Sequence, residues 1–220
     1  MVWVKICGVR DLATARALIE ARPDAIGLNF YPRSSRLVAL DDAAAMVASL
    51  PDAIEAVGVF VNAQPAAVAS LVRQCGLRRV QFHGDEPPEQ LAEFHRLLPE
   101  VPLIRAWRRD ARGLGPLTAY LRQCSALGVP ISAVLLDASR PGDYGGTGAV
   151  LPWSEVRQEC ETIALPPVIL AGGLTPENVA HAVRTVRPWG VDVASGVETA
   201  PGVKDVALVA RFIQQARTAA

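Results

Sequence analysis

Short apolar runs rich in β-branched residues alternate with helical patterns eight times along this chain, and that rhythm limits its fold more than any single motif. The strand-like runs are expected at 2–6, 25–30, 56–61, 79–83, 102–106, 133–137, 167–170 and 191–194. Helix signals fall between them. Asp11 can cap a helix over 12–21, and Asp41 or Asp42 one that ends near Pro51. Pro65 suits a first turn and Gly76 a stop, and Pro88 opens the next helix. A fifth helix is expected over 114–127 before Gly128, and a sixth over 150–160 with Pro152 in its first turn. Pro176 is expected to open the seventh, and Asp205 to cap the last.

Strands that alternate with helices form a parallel sheet, because each crossover helix returns the chain to the same edge. Eight such units predict closure into a (β/α)8 TIM barrel, an α/β fold occupying one domain over residues 1–220, without a linker or repeat boundary. The alternative is an open doubly wound sheet. That arrangement places a glycine-rich fingerprint after the first strand, and no GxGxxG follows it here.

Composition narrows the partners. The chain has 22 basic and 22 acidic residues, so its net charge is zero, and no basic excess points to nucleic acid. Half the residues are hydrophobic, yet no run reaches the roughly 18 apolar residues of a membrane span. The apolar run after the N-terminus is too short for a signal peptide. Cys7, Cys75, Cys124 and Cys160 are widely spaced, without a CxxC, so a reduced, cytoplasmic protein is expected.

Strand parity locates candidate chemistry. Side chains alternate faces along a strand. Val2, Val4 and Ile6 share one face of the first strand, Lys5 and Cys7 the other. Val80 and Phe82 oppose Gln81 and His83, Val134 and Leu136 oppose Asp137, and Val191 and Val193 oppose Asp192. If the apolar faces meet the helices, the polar faces point into the barrel near its carboxyl end, where barrel active sites lie.

Each polar residue has a plain alternative. Cys7 is a small buried hydrophobe or a base, its thiol pKa lowered by Lys5 two residues back. Asp137 ends the sixth strand, as a loop-fixing carboxylate or a general acid. Arg36 lies in the loop after the second strand, solvated or gripping a substrate carboxylate bidentately. Asp192 binds a sugar hydroxyl or orients its loop. His83 is a catalytic group or a satisfied inward histidine. His95 and His181 fall on helix surfaces.

Two late stretches look like halves of a phosphate site: Leu170-Ala171-Gly172-Gly173-Leu174-Thr175-Pro176 and Asp192-Val193-Ala194-Ser195-Gly196-Val197-Glu198. Glycine lets backbone N–H groups approach an anion, and a helix start adds unpaired donors. Gly145-Gly146-Thr147-Gly148 is generic alone but adds a third glycine-rich loop.

Taken together, these blocks resemble the phosphoribosylanthranilate isomerase family of tryptophan biosynthesis. Val4-Lys5-Ile6-Cys7-Gly8, Gly27-Leu28-Asn29-Phe30-Tyr31-Pro32 with Ser35-Arg36, and Val57-Gly58-Val59-Phe60-Val61-Asn62 begin the match. Val80-Gln81-Phe82-His83-Gly84-Asp85-Glu86 and Leu135-Leu136-Asp137 continue it, and the glycine loops and Pro201-Gly202 with Lys204-Asp205 complete it. The resemblance implies an Amadori rearrangement of N-(5-phosphoribosyl)anthranilate. Asp137 would be the acid and Cys7 the base. Arg36 would hold the anthranilate carboxylate and Asp192 the ribose. Gly172, Gly173, Ser195 and Gly196 would hold the phosphate, with Gly146 assisting.

The chemistry agrees with those assignments. The acid must stay protonated near neutral pH although free Asp titrates near about 3.9, and burial beside a phosphate dianion raises it. An iminium formed on the substrate is its own electron sink, so no metal, PLP or nicotinamide cofactor is required. The partner is a phosphorylated small molecule, with no nucleic acid or membrane, and the chain acts as a monomer or homodimer. Three rivals stand beside this reading. One is a metal-dependent pentose-phosphate epimerase, which needs several His and carboxylate ligands. Another is a Schiff-base aldolase using Lys5, and the third a phosphate-binding barrel without catalysis.

Overall fold

The computed structural model describes residues 1–138 and 150–220. Its parallel strands are β1 (Trp3–Cys7), β2 (Ala25–Asn29), β3 (Glu55–Phe60), β4 (Arg79–Phe82), β5 (Leu103–Arg108), β6 (Ile131–Asp137), β7 (Val168–Leu170) and β8 (Gly190–Val193). Each pairs with the next in chain order, and β8 pairs back with β1 through Trp3 to Ile6, so the sheet closes. The open-sheet alternative is thereby excluded. The helices are α1 (Leu12–Ile19), α2 (Leu40–Ser49), α3 (Pro65–Cys75), α4 (Pro88–Leu97), α5 (Gly115–Ala126), α6 (Trp153–Thr162), α7 (Val179–Val186) and α8 (Val206–Thr218).

The two faces of the sheet divide as parity predicts on four strands. Val4, Ile6, Val80, Phe82, Val134, Leu136, Val191 and Val193 are buried against the helices. Lys5, Gln81, Asp137 and Asp192 lie on the opposite face, also buried. The rest of the interior is apolar: Ala25, Val57, Ile104, Ala106, Ala133, Leu135, Ile169 and Ala171 form one cluster, with Trp3 against it. Trp3 stacks on Trp189 at 5.0 Å and caps the amino-terminal end of the barrel.

β5 breaks the parity rule. Arg105 is an outward position, yet it is buried, because Glu86 supplies a charge for it at 2.8 Å. A buried charge is tolerated only when it is paired and hydrogen-bonded.

Several helix signals act as expected. Asp11 accepts from the Thr14 amide at 2.8 Å, and Asp205 accepts from Ala207 and Leu208 amides at 2.8 and 3.0 Å. Gly76 ends α3 in the left-handed region. We expect Asp205→Ala to lower stability by about 1 kcal/mol in urea titration, since two amides lose their acceptor. An unchanged midpoint would show that water replaces the cap without loss.

Other boundaries differ. Asp41 and Asp42 lie inside the first turn of α2, and Ala39 occupies the cap without a side-chain bond. Their charge still favours that helix end. Pro152 precedes α6 as its cap residue. Pro176 lies in a turn ahead of α7, where Asn178 Oδ1 accepts from the Thr175 amide at 2.8 Å. After β8 the chain makes a 3-10 turn at Ser195–Val197, then an unforeseen hairpin, β9 (Glu198–Ala200) and β10 (Val203–Lys204).

Candidate active site

A cleft opens at the carboxyl ends of the strands. It is lined by Cys7, Asn29, Arg36, His83, Asp137 and Asp192, and by residues 171–174 and 193–196. Strand ends from β1, β6 and β8 thus bring together Cys7, Asp137 and Asp192, as parity predicts. Gly146 lies outside the described residues.

Lys5 is fully buried and forms an ion pair with Asp192 at 2.8 Å. The pairing register sets the two residues opposite each other on β1 and β8. Burial works against the Lys5 ammonium, but Asp192 and then Cys7 outweigh it and hold its pKa above the ordinary lysine value. Lys5 is therefore an ammonium, and an ammonium is not the free amine that a Schiff base requires.

Cys7 responds differently from the sequence expectation. Burial pushes its thiol above the ordinary cysteine value, and Asp192 adds to the rise, although Lys5 and Lys204 pull it down. Desolvation wins, so the resting group is a thiol and Lys5 limits the penalty without abolishing it. The thiolate alone is alkylated. The rate of Cys7 carboxamidomethylation should therefore climb with pH to an inflection above 9.0. Lys5→Met should move that inflection further up, because a nearby cation is lost. Peptide mapping by mass spectrometry separates Cys7 from the other three thiols, and an inflection below 9 would contradict the burial effect.

Asp137 is buried at the end of β6, where His83 Nε2 lies 3.3 Å from its Oδ2. Gln81 Nε2 meets His83 Nδ1 at 2.7 Å. The inward histidine is thus held on both sides of its ring.

Gly172 and Gly173 both have positive φ, 82° and 62°. Two successive left-handed residues are a conformation that glycine alone adopts without strain. They bring the loop against the end of β6: a Cβ on Gly172 would stand 2.9 Å from Asp137 Oδ1. The second loop touches the first, since a Cβ on Gly196 would overlap the Leu174 carbonyl. The two halves of the cradle are thus in contact, and Asp137 lies beside one of them. Ser195 and Gly196 themselves lie in the short 3-10 turn, whereas α7 starts well after the Gly172–Gly173 pair.

Arg36 lines the cleft, but Glu198 already occupies one edge of its fork. Arg36 Nε donates to Glu198 Oε1 at 2.8 Å and Nη2 to Oε2 at 2.7 Å. These bonds raise the guanidinium pKa, despite burial. Lys204 Nζ donates to the same carboxylate at 2.7 Å and to the Ala194 carbonyl at 3.0 Å. From sequence, Glu198 is only the last residue of a glycine stretch and Lys204 only the second possible Schiff-base lysine; their link to Arg36 is not foreseen, because it depends on the hairpin. The turn dipeptide Pro201-Gly202 between two short β-prone runs is the signal that could have revealed it. The chain has two lysines in all, Lys5 and Lys204; both are buried, and the charges of both act on the Cys7 thiol.

Among the described residues, no three His, Cys, Asp or Glu side chains gather as a metal-binding group, and no helix is long and apolar enough to cross a membrane. A closed barrel with a thiol, an ammonium and carboxylates meeting at the carboxyl end of its strands defines a (β/α)8-barrel protein with an ionisable cleft where such barrels carry their chemistry. Residues 4–215 match the family model described as N-(5'phosphoribosyl)anthranilate (PRA) isomerase. An N-(5'-phosphoribosyl)anthranilate isomerase from Myxococcus xanthus is 47% identical over 218 residues, covering 99% of this chain and 97% of that one. Crystallised monomers of dimeric phosphoribosylanthranilate isomerase from Thermotoga maritima superpose with a TM-score of 0.81 at 33% identity, covering 99% of this chain and 100% of that one. Another phosphoribosyl anthranilate isomerase structure holds reduced 1-(o-carboxyphenylamino)-1-deoxyribulose 5-phosphate; its TM-score is 0.82 at 33% identity, with the same coverage. The chain belongs to the phosphoribosylanthranilate isomerase family and is an isomerase.

Proposed function

We propose that this isomerase carries out the Amadori rearrangement of N-(5-phosphoribosyl)anthranilate to 1-(2-carboxyphenylamino)-1-deoxyribulose 5-phosphate, a step of tryptophan biosynthesis. Asp137 is the general acid and Cys7 the general base. One observation carries the assignment: Cys7 and Asp137, from strands on different sides of the barrel, line one cleft whose wall is the pair of touching glycine loops. A phosphate held by the amides around Gly172, Gly173, Ser195 and Gly196, with Gly146 beyond the described residues, fixes one end of the sugar. Asp192 faces its hydroxyls.

Asp137 protonates the furanose ring oxygen. The C1–O bond breaks, and the nitrogen lone pair forms an iminium. Cys7, as thiolate, removes the C2 proton, and the electron pair moves to the iminium nitrogen to give an enolamine. On tautomerisation C1 gains a proton and the C2 hydroxyl loses one. C2 is oxidised and C1 reduced within one molecule, so no external redox partner enters. The iminium is a cation formed inside a desolvated cleft, and it favours the Cys7 thiolate that burial disfavours at rest.

A fluorescence assay that follows loss of N-(5-phosphoribosyl)anthranilate tests the reading. Turnover should persist after exhaustive chelation and fall sharply in Cys7→Ser. Loss of activity with chelator, or borohydride trapping of substrate on Lys5, would refute it in favour of a metal or Schiff-base route.

A further inference from the structure

Arg36 is held in the cleft by a hairpin that the acid–base steps do not use. β9 and β10 pair antiparallel, with Glu198 opposite Lys204, and the Asp205 amide donates to the Val197 carbonyl at 2.9 Å to close the base. The Gly202 tip stands against the Ser35 carbonyl and Arg10, so it rests on the loop that carries Arg36. Glu198 turns inward with 4% of its side chain exposed, and Lys204 with 1%. On its other side, the Arg36 stem crosses Gly8, next to Cys7; a Cβ there would overlap Arg36 Cδ.

These contacts form one line. It runs from Gly8 to Arg36, through Glu198 to Lys204, and ends at the Ala194 carbonyl, the residue before Ser195 and Gly196 of the cradle. A guanidinium has five N–H donors. With Nε and one Nη2 hydrogen on Glu198, those of Nη1 and the second of Nη2 remain. Two cations and one carboxylate leave this cluster one net positive charge. Without Glu198 the half-buried Arg36 and the buried Lys204 would repel each other, and the fork would be ordered only at the moment of binding, at a cost in affinity. Burial pushes the Glu198 carboxyl up, but donation from Arg36 and Lys204 outweighs it and leaves it below the ordinary value.

We propose that Glu198 and Lys204 are positioning residues. Glu198 aims the remaining Arg36 donors at the carboxylate of the aromatic substrate, and Lys204 ties that fork to the phosphate cradle, so the hairpin sets the span between the two anionic ends. The inference rests on the substrate reading above.

The test uses two stable ligands: the reduced product analogue with its ring carboxylate, and the same molecule without it. The ratio of their Kd values, measured by titration calorimetry, reads carboxylate recognition alone. Glu198→Gln should reduce that ratio by about 10-fold or more, the worth of a charge-assisted pair. It should reach the level of Arg36→Ala, and the double variant should lose no more. Glu198→Asp, which keeps the charge but withdraws it by one methylene, should show the same loss and serves if Glu198→Gln fails to fold. Lys204→Met should reduce the ratio and also weaken inhibition by inorganic phosphate, which Glu198→Gln should leave near wild type. A merely structural role would lower the affinity of both ligands equally and keep the ratio. If Arg36→Ala loses the ratio while both Glu198 variants retain it, the positioning role is overturned and the substrate reading stands. If Arg36→Ala itself retains it, the substrate reading fails at Arg36 and the positioning role with it.

Discussion

On the acid role proposed for it, Asp137→Asn should lower kcat for N-(5-phosphoribosyl)anthranilate by about 10²- to 10⁴-fold, the usual worth of a positioned proton donor. The amide matches the carboxyl in shape and can still meet His83 Nε2, which lies 3.3 Å from Asp137 Oδ2. It has no acidic proton to give the ring oxygen. KM and the melting temperature should stay close to wild type, because the change removes a step and leaves the contacts. Steady-state turnover, with the Kd of the reduced product analogue measured beside it, separates loss of chemistry from loss of binding. Cys7→Ser should match this pattern, since a hydroxyl is a far weaker acid than a thiol and cannot supply the base. Wild-type turnover in the Asp137 variant would remove it from the acid role. A collapse of binding with unchanged kcat would recast it as a loop-fixing carboxylate.

The largest expected loss of stability lies outside the cleft. Arg105→Met removes one partner of a buried ion pair and should cost about 3–5 kcal/mol, a large share of the 5–15 kcal/mol that typically separates folded from unfolded chains. Arg105 donates through Nη1 to Glu86 Oε2 at 2.8 Å and the Phe82 carbonyl at 3.2 Å, and through Nη2 to the Gly84 carbonyl at 3.0 Å. Its guanidinium lies 4.9 Å from the Tyr120 ring centroid, and Tyr120 Oη donates to the Glu86 carbonyl at 2.8 Å. Glu86 also accepts from the amides of Asn62 at 2.7 Å and Gly84 at 3.2 Å. Removing Arg105 therefore strands a carboxylate that pins the loops after β3 and β4. The urea midpoint should fall steeply for Arg105→Met, and the double variant with Glu86→Gln should recover part of the loss by neutralising the stranded charge. A shift of less than about 1 kcal/mol would mean that solvent reaches the pair, as it does for surface bridges.

The contrast between these two sites shows what the sequence could convey. Cys7, Asp137 and Asp192 are legible because each ends or sits in a strand whose alternate residues are apolar, and period-two patterning is local information. Arg105 fits the same period but on the wrong face. What permits it is Glu86, on a different unit of the barrel, and no pattern within one strand announces such a partner. The hairpin escapes for a similar reason: two- and three-residue strands carry little propensity, and the contact Glu198 makes with Arg36 reaches across 162 residues of chain. The Cys7 thiol is misjudged from spacing alone because a neighbouring lysine is visible in sequence, whereas the extent of desolvation is not. Helix starts marked by Asp11, Pro65 and Asp205 are legible, but Pro176 is a weaker guide, since proline serves the turn before a helix as readily as its first residue.

The burial of both lysines has a practical side. Lys5 is fully buried and Lys204 is 8% exposed. The exterior of the described fold thus offers arginine in place of primary amines, and guanidinium groups stay protonated and inert to acylating reagents at neutral pH. The side chains of the folded barrel therefore give active-ester dyes, biotin or a resin no exposed lysine to couple through. Lysine-directed acylation would instead report loosening of the barrel, since Lys5 and Lys204 become reachable only when the fold opens.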